Sequence, residues 1–535
     1  MHPTNISGPP PRSRLRHRIP TSLRQHWKLL AVFVAFMTIM ATVFGATRIR
    51  PQITGDATII ASEITDNISG TVDLFDDSVS HEVSLDITDA EYNDMITTFQ
   101  KTGEKKWVTA DLTIDGTFVN DVSVRLKGNS TLMGVRGDNA MPGGEGSQPP
   151  EGMELPKGME MPEGMGPMGG MSQASEDDPT SLPLLISFDE NESGRAYQGL
   201  TEISIRPGSP VLGEAMSLSL TAETDQASQR YTYAVYSVNG SATTTRLLLE
   251  HPDDLYANTL FDSDGYLYKA DANSRFEYVG DDQSAYADQF TQINAVDNGN
   301  LQPIISFLKW LDSASDEEFD AHLADRVDVD SFADYLATQN LLVNGDDMSG
   351  PGQNYYLWYD LDTTKFTVVS WDLNLAMQGD ATTGPHDSVS MGMPGGGGRG
   401  GPGAATEGNT ATAPEGMTLP EGMTPPGGAG AGEAEGTRDG PTRGPGMASG
   451  GPQMSNELKT RFLESDAFTA VYDEAYWHLF ERIYAGGLAS EILDRLAETV
   501  PVSDGLTAED LQSSIDDMRT WIDRRTSALA DQRTA

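Results

Sequence analysis

Residues 29–46, LLAVFVAFMTIMATVFGA, form an uninterrupted apolar run without a single charge. Eighteen helical residues at about 1.5 Å each span about 27 Å, close to the hydrocarbon core of a bilayer. Ahead of the run lie Arg12, Arg14, Arg16, Arg18, Arg24 and Lys28, and no acidic residue. A basic flank stays on the cytoplasmic side, which sends the rest of the chain outward. A cleaved signal peptide shares this general pattern. Here the basic region is long, the apolar run exceeds a usual signal core, and Phe44 and Ala46 make a poor cleavage site. The expectation is a single-pass cell-membrane protein: cytoplasmic tail 1–28, transmembrane helix 29–47, stalk 48–79 and an extracytoplasmic region beyond.

The outer region holds all 80 acidic residues of the chain, against 35 basic residues overall, for a net charge of -45. Such a surface repels nucleic acid and anionic lipid, so no nucleic-acid partner is expected. It favours cations and basic protein partners, and a divalent-cation-binding surface protein is one reading of the charge. Solubility is the plainer one. The absence of cysteine excludes a disulfide framework, thiolate metal sites and cysteine nucleophiles.

Two tracts interrupt the patterned sequence. Residues 137–178 and 385–454 are rich in Met, Gly and Pro, and the phrase E-G-M-x-L-P-x-G-M occurs in both, at Glu151–Met159 and Glu415–Met423. Nothing in them can build a core, so both read as disordered insertions in one fold. Their methionines could bind Cu(I) through thioethers or form an adhesive surface, but a plain flexible insertion accounts for them. Around them, VSLDITDAEYNDMITTF reads as a strand and a short helix. KWVTADLTIDG and TFVNDVSVRLKGN read as a hairpin turned by Asp115-Gly116. LPLLISFD, TEISIRP and YTYAVYSVNG read as strands, 300–344 as helical, and 455–532 as helical throughout. The fold class expected is α+β in two lobes, β-rich first and α-helical at the C-terminal end.

Chemistry concentrates in residues 341–376, LLVNGDDMSGPGQNYYLWYDLDTTKFTVVSWDLNLA. YYLWY and FTVVSW form a hairpin around DLDTTK. If Tyr359 lies opposite Phe366, Asn354 falls opposite position 371, beside Asp372. An amide oxygen and a carboxylate, with Asp346 and Asp347 on the preceding loop, make a hard-oxygen set suited to Mg²⁺ or Mn²⁺. Phosphoryl transfer uses such a set, with one further Asp to orient the attacking hydroxyl. The order here is Asp346, Asn354, Asp372. By spacing alone, the two loop aspartates could equally cap a turn and Asp372 end a strand.

N-G-D-D, then G-P-G-Q-N-Y-Y-L-W-Y-D, then S-W-D-L-N-L-A resembles the central signature of the spore-coat-protein-H (CotH) family, N-x-D-S, H-N-Y-Y-L-Y and W-D-y-N-l-A-f-G. VRLKGNS at 124–130 is similar to a further family motif, and VNG at 238–240, Glu250 and GYLYKA at 265–270 follow in order. The resemblance spans roughly 80–532, with the two tracts as insertions. It implies an atypical kinase fold that transfers phosphate from ATP to Ser or Thr of a protein. By match, Asp346 is the catalytic Asp, Asn354 and Asp372 hold Mg²⁺ or Mn²⁺, and Asn374 could support that site. Arg125, Lys127, Lys269 and Glu250 are the candidate nucleotide-side residues. Gln353 stands where the family has His, Asp347 where it has Ser, and Met377-Gln378 where it has Phe-Gly. The strand LPLLISFDE lacks the family's Lys, and 205–220 lacks its helical Asn and Arg. These departures leave a second class open: a non-catalytic scaffold or binding protein of the cell envelope.

Overall fold

A computed structural model describes residues 63–128, 130–136, 174–272, 274–295, 300–389 and 456–534. The apolar run 29–46 and most of both tracts lie outside the described residues. Among the described residues no helix is long and apolar enough to cross a membrane.

The first half builds a barrel. Strand β1 (Asp66–Ile68) is a short outlier; β2 (His81–Asp86) begins the barrel proper and leads into helix α1 (Asp89–Thr102). The helix starts where Thr88 accepts the Glu91 amide at 3.2 Å and stops at Gly103, which takes the left-handed conformation a side chain resists. Strands β3 (Val108–Ile114) and β4 (Thr117–Leu126) form the expected hairpin, with Asp115 and Gly116 both at positive φ. Strands β5 (Leu184–Ser187), β6 (Arg195–Tyr197) and β7 (Glu202–Ile205) follow, then helix α2 (Leu212–Glu223), β8 (Tyr231–Val238) and β9 (Thr244–Glu250). Seven strands close in the order β2-β3-β4-β5-β7-β9-β8, sealed by parallel pairing of β2 with β8. Val83, Leu85, Leu112, Val124, Leu126, Ile186, Ile203 and Tyr236 are among the buried residues that fill the interior. Closure leaves no exposed strand edges.

The second half is mixed rather than purely helical. After the short helix α3 (Tyr256–Leu260) come β10 (Gly265–Ala270), β11 (Phe290–Gln292) and helices α4 (Gln302–Ser313), α5 (Asp316–His322) and α6 (Val329–Leu341). Strands β12 (Tyr355–Asp360) and β13 (Phe366–Ser370) complete an antiparallel sheet in the order β11-β10-β12-β13. Helices α7 (Glu457–Glu464), α8 (Asp466–Phe480), α9 (Leu488–Thr499) and α10 (Ala508–Thr534) end the chain. The α+β class thus holds, with a second sheet placed inside the later part. One large core joins the two halves: Tyr233, Leu247 and Leu249 on the outside of the barrel pack with α2 and with the helices that follow.

The folded region also extends past the expected boundaries. Strand β1 pairs with β6, and Leu74 is fully buried with its amide donating to Gln198 Oε1 at 2.8 Å, so the end of the expected stalk packs on the barrel. Residues 174–178 of the first tract dock on α1, where Tyr92 Oη donates to the Glu176 carbonyl at 2.7 Å. Pro385 of the second tract accepts a 2.6 Å bond from Tyr472 Oη.

Candidate active site

The β12–β13 hairpin positions the carboxylate end. Tyr359 pairs with Phe366 and Tyr355 with Ser370, the register read from the sequence, so Asn354 and Asp372 leave the same open end of the hairpin. Asp372 holds a left-handed backbone, φ 52°, which an aspartate tolerates better than most residues.

Asp346 lies on the loop between α6 and β12. Its Oδ2 accepts from Asn354 Nδ2 at 2.9 Å and its Oδ1 from the Gly352 amide at 2.6 Å. A Cβ on Gly352 would stand 2.6 Å from Asp346 Oδ2, and one on Gly350 only 2.4 Å from Asp346 Cα. The G-P-G sequence therefore lets this loop fold tightly over the aspartate. Burial pushes the Asp346 carboxyl above its ordinary range, and the charges of Asp372 and Asp347 add to that. Gln353, in the family's His position, is buried and donates to the Gly350 carbonyl at 2.9 Å, so it shapes the loop.

The barrel supplies the cations. Arg125, Leu185 and Ser204 face one another across β4, β5 and β7, and strand alternation puts Lys127, Glu202 and Arg206 on that same outer face. Lys127 bonds Ser204 Oγ, approaches His251 Nδ1 at 3.2 Å, and lies over the Trp371 ring at 5.1 Å from the centroid. Lys269, from β10, lies over the same ring at 5.8 Å. Burial, reinforced by Arg206, pushes the Lys127 ammonium down to about 7. Lys105 is pushed down to about 8 by burial and then by Arg125 and Lys269. The same cations, after burial, hold His251 well below its usual value. Burial lifts Glu202 to about 7, and its carboxylate stands 3.5 Å from His251 Nε2. Against a chain of net charge -45, this is a concentrated cationic patch.

Arg206 joins the two sides. Its Nε donates to Glu214 Oε2, in the first turn of α2, at 2.7 Å, and its Nη2 donates to Asp372 Oδ1 at 2.5 Å. Glu214 is nearly inaccessible, and its burial raises its carboxyl pKa.

The expected site residues thus fall into groups. Asp346, Asn354 and Asp372 come together, and Lys127 and Lys269 meet at Trp371, next to Asp372. Arg125 shares the outer barrel face but stacks on Trp107 at 4.8 Å. Glu250 does not join them: Arg230 takes its carboxylate in a two-pronged pair at 3.1 and 2.6 Å. Sequence reasoning missed Arg206, Glu214, Glu202 and His251. The alternation in TEISIRP already placed Glu202, Ser204 and Arg206 on one face; nothing local pointed to Glu214.

No group of three or more His, Cys, Asp or Glu is gathered for a metal among the described residues. A nucleotide-bound Mg²⁺ asks for less, because it keeps waters and phosphate oxygens and takes only one or two protein ligands. Asn354 Oδ1 and Asp372 Oδ2 accept no hydrogen bond among the described residues, and both are hard oxygens, so the pair fits that lesser demand. Two cavities, of about 340 and 480 Å³, lie elsewhere; both are lined by Phe75 and Arg230 and neither by the three site residues.

The family model described as CotH kinase protein matches residues 186–529, well over half of the chain. The chain belongs to the CotH kinase family. The matched span includes Asp346, Asn354, Asp372, Arg206 and Lys269. It begins inside β5, so Arg125 and Lys127 lie outside it, although their strand closes the same barrel. No curated protein matches the chain.

Proposed function

We propose that this CotH family member is a membrane-anchored extracytoplasmic kinase that transfers the terminal phosphoryl group of ATP to Ser or Thr hydroxyls of surface or envelope proteins. The observation that carries the reading is the pairing of Asp346 with Asn354 beside Asp372, facing a patch of partly buried cations. Asn354 and Asp372 would hold Mg²⁺ or Mn²⁺, whose chemistry is to neutralise the phosphate oxygens. Lys127 and Lys269 would meet the negative charge of the triphosphate, where a desolvated cation is worth most. Asp346 would orient the attacking hydroxyl and accept its proton as the new O–P bond forms and ADP leaves. The buried position of Asp346 suits it to that exchange, since a raised pKa moves a carboxylate towards the operating pH. Arg206, clamped by Glu214, would hold Asp372 in place. A basic acceptor protein suits the acidic surface.

A second reading, a scaffold without catalysis, draws on one observation: Arg206 already neutralises Asp372, the residue a metal must share. Phosphate transfer from labelled ATP with Mg²⁺ or Mn²⁺, to casein and to the chain itself, separates the two. Label transfer that disappears in Asp346→Ala and Asp372→Ala supports the kinase. No transfer and no thermal shift with nucleotide supports the scaffold.

A further inference from the structure

The loop that carries Asp346 also buries a second carboxylate that the reaction does not need. Asp347 is 3% exposed. Its Oδ1 accepts the Ser349 amide and the Ser349 hydroxyl, each at 2.8 Å. Its Oδ2 meets the Lys459 ammonium, which also donates to Ser349 Oγ at 3.0 Å. Lys459 is more than a hundred residues away in sequence. It sits in the first turn of α7, immediately beyond the second Met/Gly/Pro-rich tract.

That helix has its own anchors. Asn456 accepts the Lys459 amide at 3.2 Å as its N-terminal cap, and Leu458 and Phe462 are sunk in the large core. The loop 346–353 carries no regular secondary structure. Met348 roots it in the large core, and its turns close on backbone bonds from Gly350 to Asp347 and from Gln353 to Gly350. Its side-chain bonds include Gly352 and Asn354 to Asp346, Gln353 to Gly350, Met348 to Tyr335 Oη at 3.2 Å, and Asp347 to Ser349 and Lys459. A buried carboxylate deprived of its partner is strongly unfavourable, so the loop would shift to hydrate it. Asp347 also stands where the family pattern carries Ser, which would need no cation. Carboxylate and ammonium read as a matched pair in this chain.

We propose that Lys459 is a positioning residue of the phosphoryl-transfer site: paired with Asp347, it sets the loop that presents Asp346, and it does so from a helix that begins where the second insertion ends. The role in transfer rests on the kinase reading above; the setting of the loop does not.

The test uses the full chain in detergent with Lys459→Met, Lys459→Arg, Asp347→Ser and the double variant Asp347→Ser/Lys459→Met. Two quantities are read: hydrogen exchange of the amides in 346–354, and steady-state transfer from Mg²⁺-ATP to casein. Lys459→Met is expected to speed exchange in 346–354 by about tenfold or more, while β12 and α7 keep their rates. Its kcat should fall about 10- to 100-fold with the KM for ATP within about twofold, the mark of lost positioning rather than lost binding. Lys459→Arg keeps the charge and should lie close to wild type. Asp347→Ser leaves no buried carboxylate to hydrate, so it should lose less than Lys459→Met in both readouts, and the double variant should lie with Asp347→Ser rather than with Lys459→Met. Unchanged exchange in Lys459→Met overturns the proposal, as does a double variant no better than Lys459→Met. Exchange that rises equally across α7 also overturns it, because the lysine would then only hold the helix. A wild-type chain that transfers no phosphate, yet shows the exchange pattern and its rescue, fails the kinase reading and upholds the loop-setting pair.

Discussion

The two walls of the candidate site are built from opposite charges and by opposite means. The carboxylate wall comes from one continuous stretch, Asp346 to Asp372, folded by a hairpin and a glycine-rich loop. The cationic wall comes from strands far apart in sequence, β4, β7 and β10, whose side chains meet only because a barrel closes and a second sheet packs beside it. The first wall is local and could be read from residue order. The second depends on strand neighbours and could not. Arg206 connects the two, and it belongs to the wall that sequence reasoning left incomplete.

The largest expected effect tests the carboxylate wall. Asp372→Ala should lower kcat for phosphate transfer by about 10³-fold or more, measured with labelled ATP, because it removes the one carboxylate of the proposed Asn354–Asp372 metal pair. Residual activity within about tenfold of wild type would move the metal role elsewhere.

Arg206→Ala tests the connection between the walls. It leaves Glu214 buried without its partner and frees Asp372, and should cost about 3–5 kcal/mol of stability in denaturant unfolding. Glu214→Gln with Arg206→Met should recover much of that loss, since the buried charges leave together. If Arg206→Ala instead leaves stability unchanged and tightens Mn²⁺ binding, the arginine is a competitor for Asp372 and the scaffold reading gains.

The cationic wall should respond to pH. Lys127, pushed down to about 7 in the free protein, is mostly neutral at pH 8. A bound triphosphate favours its charged form, so binding should take up a proton above pH 7. Affinity for ATP should then weaken by up to about tenfold per pH unit between 7 and 9. Calorimetry in buffers of different ionisation enthalpy reads the proton directly. Lys127→Met should remove the part due to Lys127. Glu202→Gln should leave the part due to Lys127, which matters because Glu202 also titrates near 7.

The smallest effect is expected at Glu250. Glu250→Gln should change the KM for ATP less than about twofold, with a loss of about 1–3 kcal/mol in stability from the Arg230 pair. A large rise in KM would return Glu250 to the nucleotide side, against its present geometry.

The sequence alone determined several things. The Asp115-Gly116 dipeptide demanded a two-residue hairpin, because both positions take positive φ and a glycine accepts it. Alternation fixed which faces of the strands point inward. The register of the β12–β13 hairpin, with Asn354 beside Asp372, followed once Tyr359 was set opposite Phe366. Each of these is a contact between near neighbours, governed by backbone geometry. Tertiary structure decided the rest. Periodicity cannot say that β2 and β8 run parallel and seal a barrel, or that a four-stranded sheet sits within the later half. Nor does residue order reveal that Arg525, fully buried, clamps the end of α6 through the carbonyls of Asn340 and Leu341 together with those of Ala381 and Thr383. The same holds for Lys459 at Asp347 and Glu214 at Arg206. A charged side chain in a sequence carries no sign of its partner; only the packing that strips water from both makes one necessary and shows which it is.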